Sequence, residues 1–123
     1  MTPILVAVGA AVGAPLRYWT DRAIQGRLGT AFPWGTLGVN VAGSLLLGLL
    51  VGGAAAGGVA PEVLHGAGAG FCGALTTYST FGYETVRLTE SGSWLYALGN
   101  VLLSLAAGLL AAWAGLGAAA LIW

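Results

Sequence analysis

Charged side chains divide the chain into four apolar stretches. The two longest charge-free runs, 28–61 and 91–123, amply exceed the ~20 residues that an α-helix needs to cross a bilayer. The other two runs are shorter and end near aromatic or hydroxyl side chains. The pattern predicts an all-α membrane protein of one domain, residues 1–123, with four membrane-spanning helices at about 2–19, 34–56, 61–87 and 94–123.

The third predicted helix contains a stretch that is unsuited to an uninterrupted helix. Residues 76–80 are five consecutive hydroxyl side chains, and four glycines precede them between 66 and 73. Such a run can form a small-residue face that packs closely against a neighbouring helix. It can also mark a helix broken at mid-membrane, whose freed backbone groups must face protein, water or an ion. We favour the break, which in membrane proteins usually marks a permeation or binding site.

Polar and small residues recur every four positions along the second and fourth predicted helices. One stripe consists of Thr36, Asn40, Ser44, Gly48 and Gly52, and the other of Tyr96, Asn100, Ser104 and Gly108. Side chains at this spacing lie on one face of a helix, so the two stripes are expected to face each other. The Asn40 amide must face the protein interior, either as an interhelical packing bond or as a donor that lines a pore.

Two charged residues near the ends of helices have alternative interpretations. Arg17, beside Tyr18 and Trp19, is either an interfacial anchor or a cation that lines a water-filled mouth. Glu84, near the end of the third span, is by position an ordinary exposed carboxylate. The segment 20–33 between the first two spans is predicted to be a polar loop or a short surface helix.

The composition excludes most other classes of protein. With 58% hydrophobic and 7% charged residues and a mean hydropathy of +0.88, the chain is an integral membrane protein. The single cysteine, Cys72, and the single histidine, His65, exclude an internal disulfide or a cysteine-rich metal cluster. The first span lacks the features of a cleaved signal peptide and is expected to be retained. We find no motif of an enzyme, no paired carboxylates within the spans, and no feature that indicates nucleic-acid binding.

Three motifs together resemble the CrcB/Fluc family of fluoride channels. They are GAAVGAPLRYW at 9–19, WGTLGVNVAGSLLLG at 34–48 and GFCGALTTYSTFGYE at 70–84. The resemblance covers essentially the whole chain. It implies an antiparallel dimer in the cell membrane with two anion pores, and a structural sodium ion at the centre of the dimer interface.

The resemblance also implies roles for individual residues. Tyr78 departs from the family, in which this position of the aromatic box is usually phenylalanine, so the role of its ring is open. The implied pore lining is Asn40, the aromatic pair Tyr78 and Phe81, the hydroxyls Ser79 and Thr80, and Ser104; the implied vestibule residues are Arg17 and Glu84; and the implied sodium ligands are the backbone carbonyls of Gly73 and Thr76.

The residues also bear on two other functions and on two kinds of dimer. A proton-coupled small multidrug exporter needs a carboxylate within the membrane, usually in the first span, and residues 1–16 contain none. A structural membrane subunit would use the same polar groups for packing alone. All four arginines lie in or beside loop 1 (20–33) and loop 3 (89–93), which are on the same side of a four-span protein. The positive-inside rule therefore favours a fixed orientation. The dimer is therefore either a homodimer of dual topology or a heterodimer with an oppositely oriented paralogue.

Overall fold

The described chain folds into long helices joined by short turns. The computed structural model describes residues 2–29 and 31–123. The first two helices are α1 (Thr2–Leu28) and α2 (Trp34–Ala55), and the last is α5 (Trp94–Ile122). Pro61 occupies the first turn of the third helix, where its missing N–H costs nothing. Among the described residues no strand is present, so the predicted all-α fold is confirmed.

The third helix changes its hydrogen-bonding pattern twice and then stops. It runs through Pro61–Val63, the π-helical segment Leu64–Cys72 and Gly73–Leu75, and we call the whole of 61–75 α3. Thr76 then adopts an extended conformation (φ −81°, ψ 162°), and helix α4 begins at Ser79 and ends at Glu90. Residues 76–78, which we call the break, therefore lie within the hydroxyl run where the sequence predicted an interruption.

Helices α1 and α3 run in the same direction in close backbone contact. A Cβ on Gly9 would collide with the carbonyl oxygen of Gly66, and one on Gly70 would meet the backbone of Val6. Further along both helices, Gly13 lies against the stretch from Phe71 to Leu75. Only residues without a Cβ allow two backbones to approach so closely. The glycines of α1 thus pack against α3, mainly against its π-helical part.

Helices α2 and α5 form the other parallel pair, along the two predicted polar stripes. A Cβ on Gly108 would lie 3.9 Å from Ser44 Oγ, and the next contacts join Gly48 to Ala112 and Gly52 to Ala119. Because α1 runs with α3 and α2 with α5, the chain passes up and down alternately. Among the described residues, α2 and α5 are the helices long and apolar enough to cross a membrane, with mean hydropathies of 1.8 and 2.0.

Helix α1 is longer than the sequence indicated. The predicted span ended near Trp19 and was followed by a polar segment, whereas the helix continues to Leu28. Side-chain bonds one turn apart extend it: Arg22 donates to Tyr18 Oη at 3.0 Å, and Gln25 donates to the Asp21 carboxylate at 3.1 Å. Gly29, at φ +80°, then ends the helix in the left-handed conformation that glycine adopts freely. Thr30, within the predicted loop, lies outside the described residues.

The contact of α1 with α3 leads to a prediction about stability. We expect Gly13→Ala to lower the free energy of unfolding by about 1–3 kcal/mol, because the new methyl would lie 2.5 Å from the Phe71 carbonyl oxygen. Labelling of Cys72, the single cysteine, by a maleimide during heating would report the loss, since that residue is only 2% exposed in the folded chain. Gly26→Ala on the same helix meets nothing within 4 Å and is the matched control. Equal labelling of both variants would contradict the contact.

Candidate functional site

The site is built around the break, whose backbone is held by the side chain of Asn40. Asn40 Nδ2 donates to the Thr77 carbonyl oxygen at 3.0 Å, and the Thr77 N–H donates to Asn40 Oδ1 at 2.8 Å. This two-way bond satisfies both backbone groups of a residue that has left the helix. One N–H of the Asn40 amide remains beyond this pair, because an amide nitrogen carries two hydrogens. Asn40 therefore joins α2 to the break through two hydrogen bonds and keeps one N–H that can bind another acceptor.

Two carbonyl groups, one in the last turn of α3 and one in the break, accept no hydrogen bond within the described chain and are available to another ligand. The last turn of α3 closes with the Thr76 N–H and hydroxyl both donating to the Cys72 carbonyl oxygen, at 3.0 and 2.9 Å. Within the described part of the chain, no hydrogen bond is donated to the carbonyl oxygens of Gly73 or Thr76. Gly73 is exposed and Thr76 half-buried, and both line the same cavity. Neutral carbonyl oxygens in this arrangement suit a hard cation.

A cavity of about 640 Å³ runs from the break along α2. On α2 it extends from Asn40 to Val51, a length of about 16 Å at the rise of an α-helix. The polar groups concentrate at the end near the break, and aliphatic side chains such as Leu47 line the middle. Three of the predicted pore residues besides Asn40 line this cavity: Tyr78, Phe81 and Ser104.

The two aromatic rings of the predicted box lie next to each other at the start of α4. The ring centroids of Tyr78 and Phe81 are 6.1 Å apart, with the planes tilted by 46°. Aromatic rings carry positive charge at the edge, so such rings can turn an edge toward an anion. Tyr78 is 86% exposed in the single chain, whereas Phe81 is half-buried. The Tyr78 ring therefore has little contact within its own chain.

A smaller cavity of about 260 Å³ lies beyond the break, toward loops 1 and 3. Glu84 and Thr80 line it, together with Asp21 and Arg87. The Thr36 hydroxyl donates to the Glu84 carboxylate, and Glu84 is 7% exposed. The interpretation of Glu84 as an ordinary exposed carboxylate is therefore wrong. The donor of this bond, Thr36, is 48 positions away on another helix, so the position of Glu84 within its own helix could not reveal it.

A chain of partly buried hydrogen bonds links α5 to the backbone of Phe81. Ser104 Oγ donates to Asn100 Oδ1 at 3.2 Å, and Asn100 Nδ2 donates to Thr85 Oγ1 at 2.9 Å. The Thr85 hydroxyl in turn donates to the carbonyl oxygen of Phe81 at 2.8 Å. Asn100 is 1% exposed. The four-residue spacing indicated the α5 members of this chain, but nothing in the sequence singled out Thr85.

Two of the predicted site residues lie away from the large cavity. Arg17 is half-buried on α1, and neither the large cavity nor the smaller one includes it in its lining. Ser79 is exposed at the first position of α4 and also lies outside both linings. Any part that these two residues play in anion passage would need a surface that the single chain does not supply.

Comparisons with known proteins agree on one family. The profile of the CrcB-like proteins, described as Camphor Resistance (CrcB), matches residues 4–116. The chain is 56% identical to a protein of Streptomyces avermitilis named fluoride-specific ion channel FluC 1, covering 100% of this chain and 99% of that protein. A protein of the same name from Frankia casuarinae is 52% identical over 100% of this chain and 99% of its own length. A protein of Geobacter sulfurreducens named fluoride-specific ion channel FluC is 46% identical, covering 97% of this chain and 98% of that protein. The chain therefore belongs to the CrcB family.

Proposed function

We propose that this protein is a fluoride-specific channel through which cytoplasmic fluoride leaves the cell. The observation that carries the proposal is the position of the Asn40 amide and the Phe81 ring at one end of a cavity some 16 Å long. The names of relatives that align over the full chain support the same conclusion. Ion channels do not transform their substrate, so the protein is not an enzyme.

The groups around the break suit a small, strongly hydrated anion. Such an ion sheds water only where donors replace it, and amide N–H, hydroxyl and ring-edge C–H groups are all donors. No arginine or lysine lies between residues 28 and 86. A fixed positive charge in the middle of the path would hold the ion too tightly for rapid release. Asn40 and Phe81 thus offer weak, neutral contacts. The Ser104 hydroxyl also lines the cavity and would have to exchange its bond to Asn100 for one to the ion. Thr80 and Glu84 continue a polar lining toward loops 1 and 3.

The pore is completed by a second subunit in the opposite orientation. The support is the exposure of the Tyr78 ring, which has to contact a partner or lipid, and the open side of the large cavity. With two copies related by an antiparallel axis, each large cavity would be covered by the other chain, giving two pores. The protein then resides in the cell membrane as a multi-pass protein surrounded by lipid. In this dimer, Arg17 is assigned to the vestibule of the pore and Ser79 to the anion path.

The free carbonyls of Gly73 and Thr76 are assigned to a structural sodium ion on the dimer axis. Two subunits would contribute four carbonyl oxygens, which are hard ligands appropriate to an alkali cation. The bound cation supplies positive potential to the flanking anion paths. The chain's own contribution is to hold these oxygens in place, through the Asn40–Thr77 bonds on one side of the break and the Thr76–Cys72 bonds on the other.

Exchanging the cation is expected to weaken the dimer. After long incubation with a larger cation such as N-methyl-glucamine in place of sodium, we expect slower fluoride efflux or a loss of dimer on size-exclusion chromatography. The reason is that the Gly73 and Thr76 oxygens of two chains would repel one another without a ligand between them. Return of sodium should restore both properties. Unchanged efflux and an unchanged dimer after exchange would remove sodium from the proposal.

The purified chain alone tests the function and the choice of partner together. It is reconstituted into liposomes loaded with fluoride or with chloride, and the efflux of each ion is followed with an ion-selective electrode. Fluoride efflux well above chloride efflux supports the channel and means that a homodimer is sufficient. If the chain alone is inactive, co-expression with an oppositely oriented paralogue tests the heterodimer that the arginine distribution favours. If neither the chain alone nor the co-expressed pair transports fluoride, the remaining interpretation is a structural membrane subunit.

A further inference from the structure

His65 lies at the end of the large cavity that is remote from the break. On α2 the cavity lining ends at Val51, and on α3 it ends at Leu64 and His65. The two helices run in opposite directions here, since Gly43 contacts Thr76 whereas the Leu47 methyl lies near Gly68, one turn from His65. The histidine thus sits at the mouth that opens toward the 56–60 turn, and its side chain is half-buried.

The charges around this mouth are sparse. Helices α1, α2 and α5 approach it with residues 2–16, 34–55 and 97–123, none of which carries an ionisable side chain. On α3 itself the acid Glu62 is exposed, three residues before His65, and does not line the cavity. Cys72 and Tyr78 are the other ionisable side chains of the lining, and neither becomes cationic. Within the described chain, His65 is the one side chain at this mouth that can carry a positive charge.

We propose that His65 recruits anions at this mouth and that its protonation makes fluoride uptake into the cavity pH-dependent. This inference rests on the proposed channel function. Histidine changes its charge between pH 5 and 8, and a cation at a mouth with apolar walls raises the local concentration of anions. The opposite mouth, toward loops 1 and 3, has no histidine in its lining; its charged side chains are Arg87 and the carboxylates of Asp21 and Glu84. The two ends of one chain therefore differ in their response to pH.

The test compares fluoride efflux at about pH 6 and about pH 8, on either side of the usual histidine titration. Proteoliposomes with equal pH on both faces are used at low fluoride, where arrival at the mouth limits the rate. The leak of hydrogen fluoride through protein-free liposomes is subtracted at each pH. We expect the natural protein to be about fivefold faster at pH 6, the factor that one nearby unit charge produces at about 1 kcal/mol.

Three variants separate the histidine from its surroundings. His65→Gln should be slow at both pH values, and His65→Lys should be fast at both. Glu62→Gln, on the same helix but outside the cavity, should keep the pH dependence of the natural protein. Retention of that dependence by His65→Gln, or its loss in Glu62→Gln, would overturn the assignment. Fluoride efflux without any pH dependence overturns only this inference, whereas the absence of fluoride efflux at both pH values, from the chain alone and from the chain with an oppositely oriented paralogue, overturns the channel function as well.

Discussion

Replacing Asn40 by alanine is expected to lower fluoride efflux about 10- to 100-fold, since a hydrogen bond to a charged group contributes ~1.5–3 kcal/mol. The variant loses the amide donor at the end of the large cavity. It also leaves the N–H and carbonyl of Thr77 without their partners, at about 1–3 kcal/mol each if water does not replace them. Efflux assays in liposomes and maleimide labelling of Cys72 measure the two effects separately.

An aspartate at the same position distinguishes the two functions of the amide. Asn40→Asp keeps an oxygen that accepts the Thr77 N–H, but it cannot donate to the Thr77 carbonyl and it places a negative charge beside the anion path. We expect Asn40→Asp to be more stable than Asn40→Ala while transporting fluoride no faster. Efflux from Asn40→Ala at the rate of the natural protein would remove this residue from the pore and leave it only as the link between α2 and the break.

Phe81→Ile is expected to lower fluoride efflux about tenfold while the fold is retained. The aliphatic side chain fills similar space but lacks the positive ring edge, and electrostatic contacts of this kind are stronger in a site of low dielectric constant. The backbone of residue 81 keeps its bond from the Thr85 hydroxyl, so α4 should be undisturbed. Efflux in liposomes together with the gel-filtration profile of the purified variant measures both properties.

Tyr78→Phe is the matched control for the ring edge. It removes only the phenol oxygen, and no hydrogen bond of that oxygen exists among the described residues. We expect efflux close to that of the natural protein. If Tyr78→Phe lost transport while Phe81→Ile retained it, the phenol rather than the ring edge would be the group that the anion meets.

The long-range order of the fold could largely be predicted from local patterns. Charge-free runs gave the helices, and the four-residue repeat of small and polar residues predicted that α2 and α5 face each other, as the contact of Gly48 with Ala112 confirms. The run of hydroxyls located the break between Leu75 and Ser79. These features were predictable because each depends on residues close together in sequence, on a spacing that fixes the direction of side chains.

Features that depend on distant partners could not be predicted. The burial of Glu84 requires Thr36 on another helix, and the role of Thr85 requires Asn100 on α5. The π-helical segment Leu64–Cys72 is another example, because glycine-rich sequence is compatible with several backbone patterns. The π-helical pattern occurs where the backbones of α1 and α3 are in contact, at Gly9 on α1 and Gly70 on α3.

The pairing of helices has a consequence for how the chain enters a membrane during synthesis. The strongly apolar helices α2 and α5 pack on each other, and each can partition into lipid by its own hydropathy. Helix α3, which is partly π-helical and ends at the break, packs on α1 through its glycines. We expect the insertion machinery to retain α1 beside itself until α3 emerges, so that the glycine-rich helix never meets acyl chains alone. Variants that weaken this contact, such as Gly13→Ala, should then also give a lower yield in biogenesis, with degraded or half-inserted chains, in addition to the lower stability of the protein that does assemble.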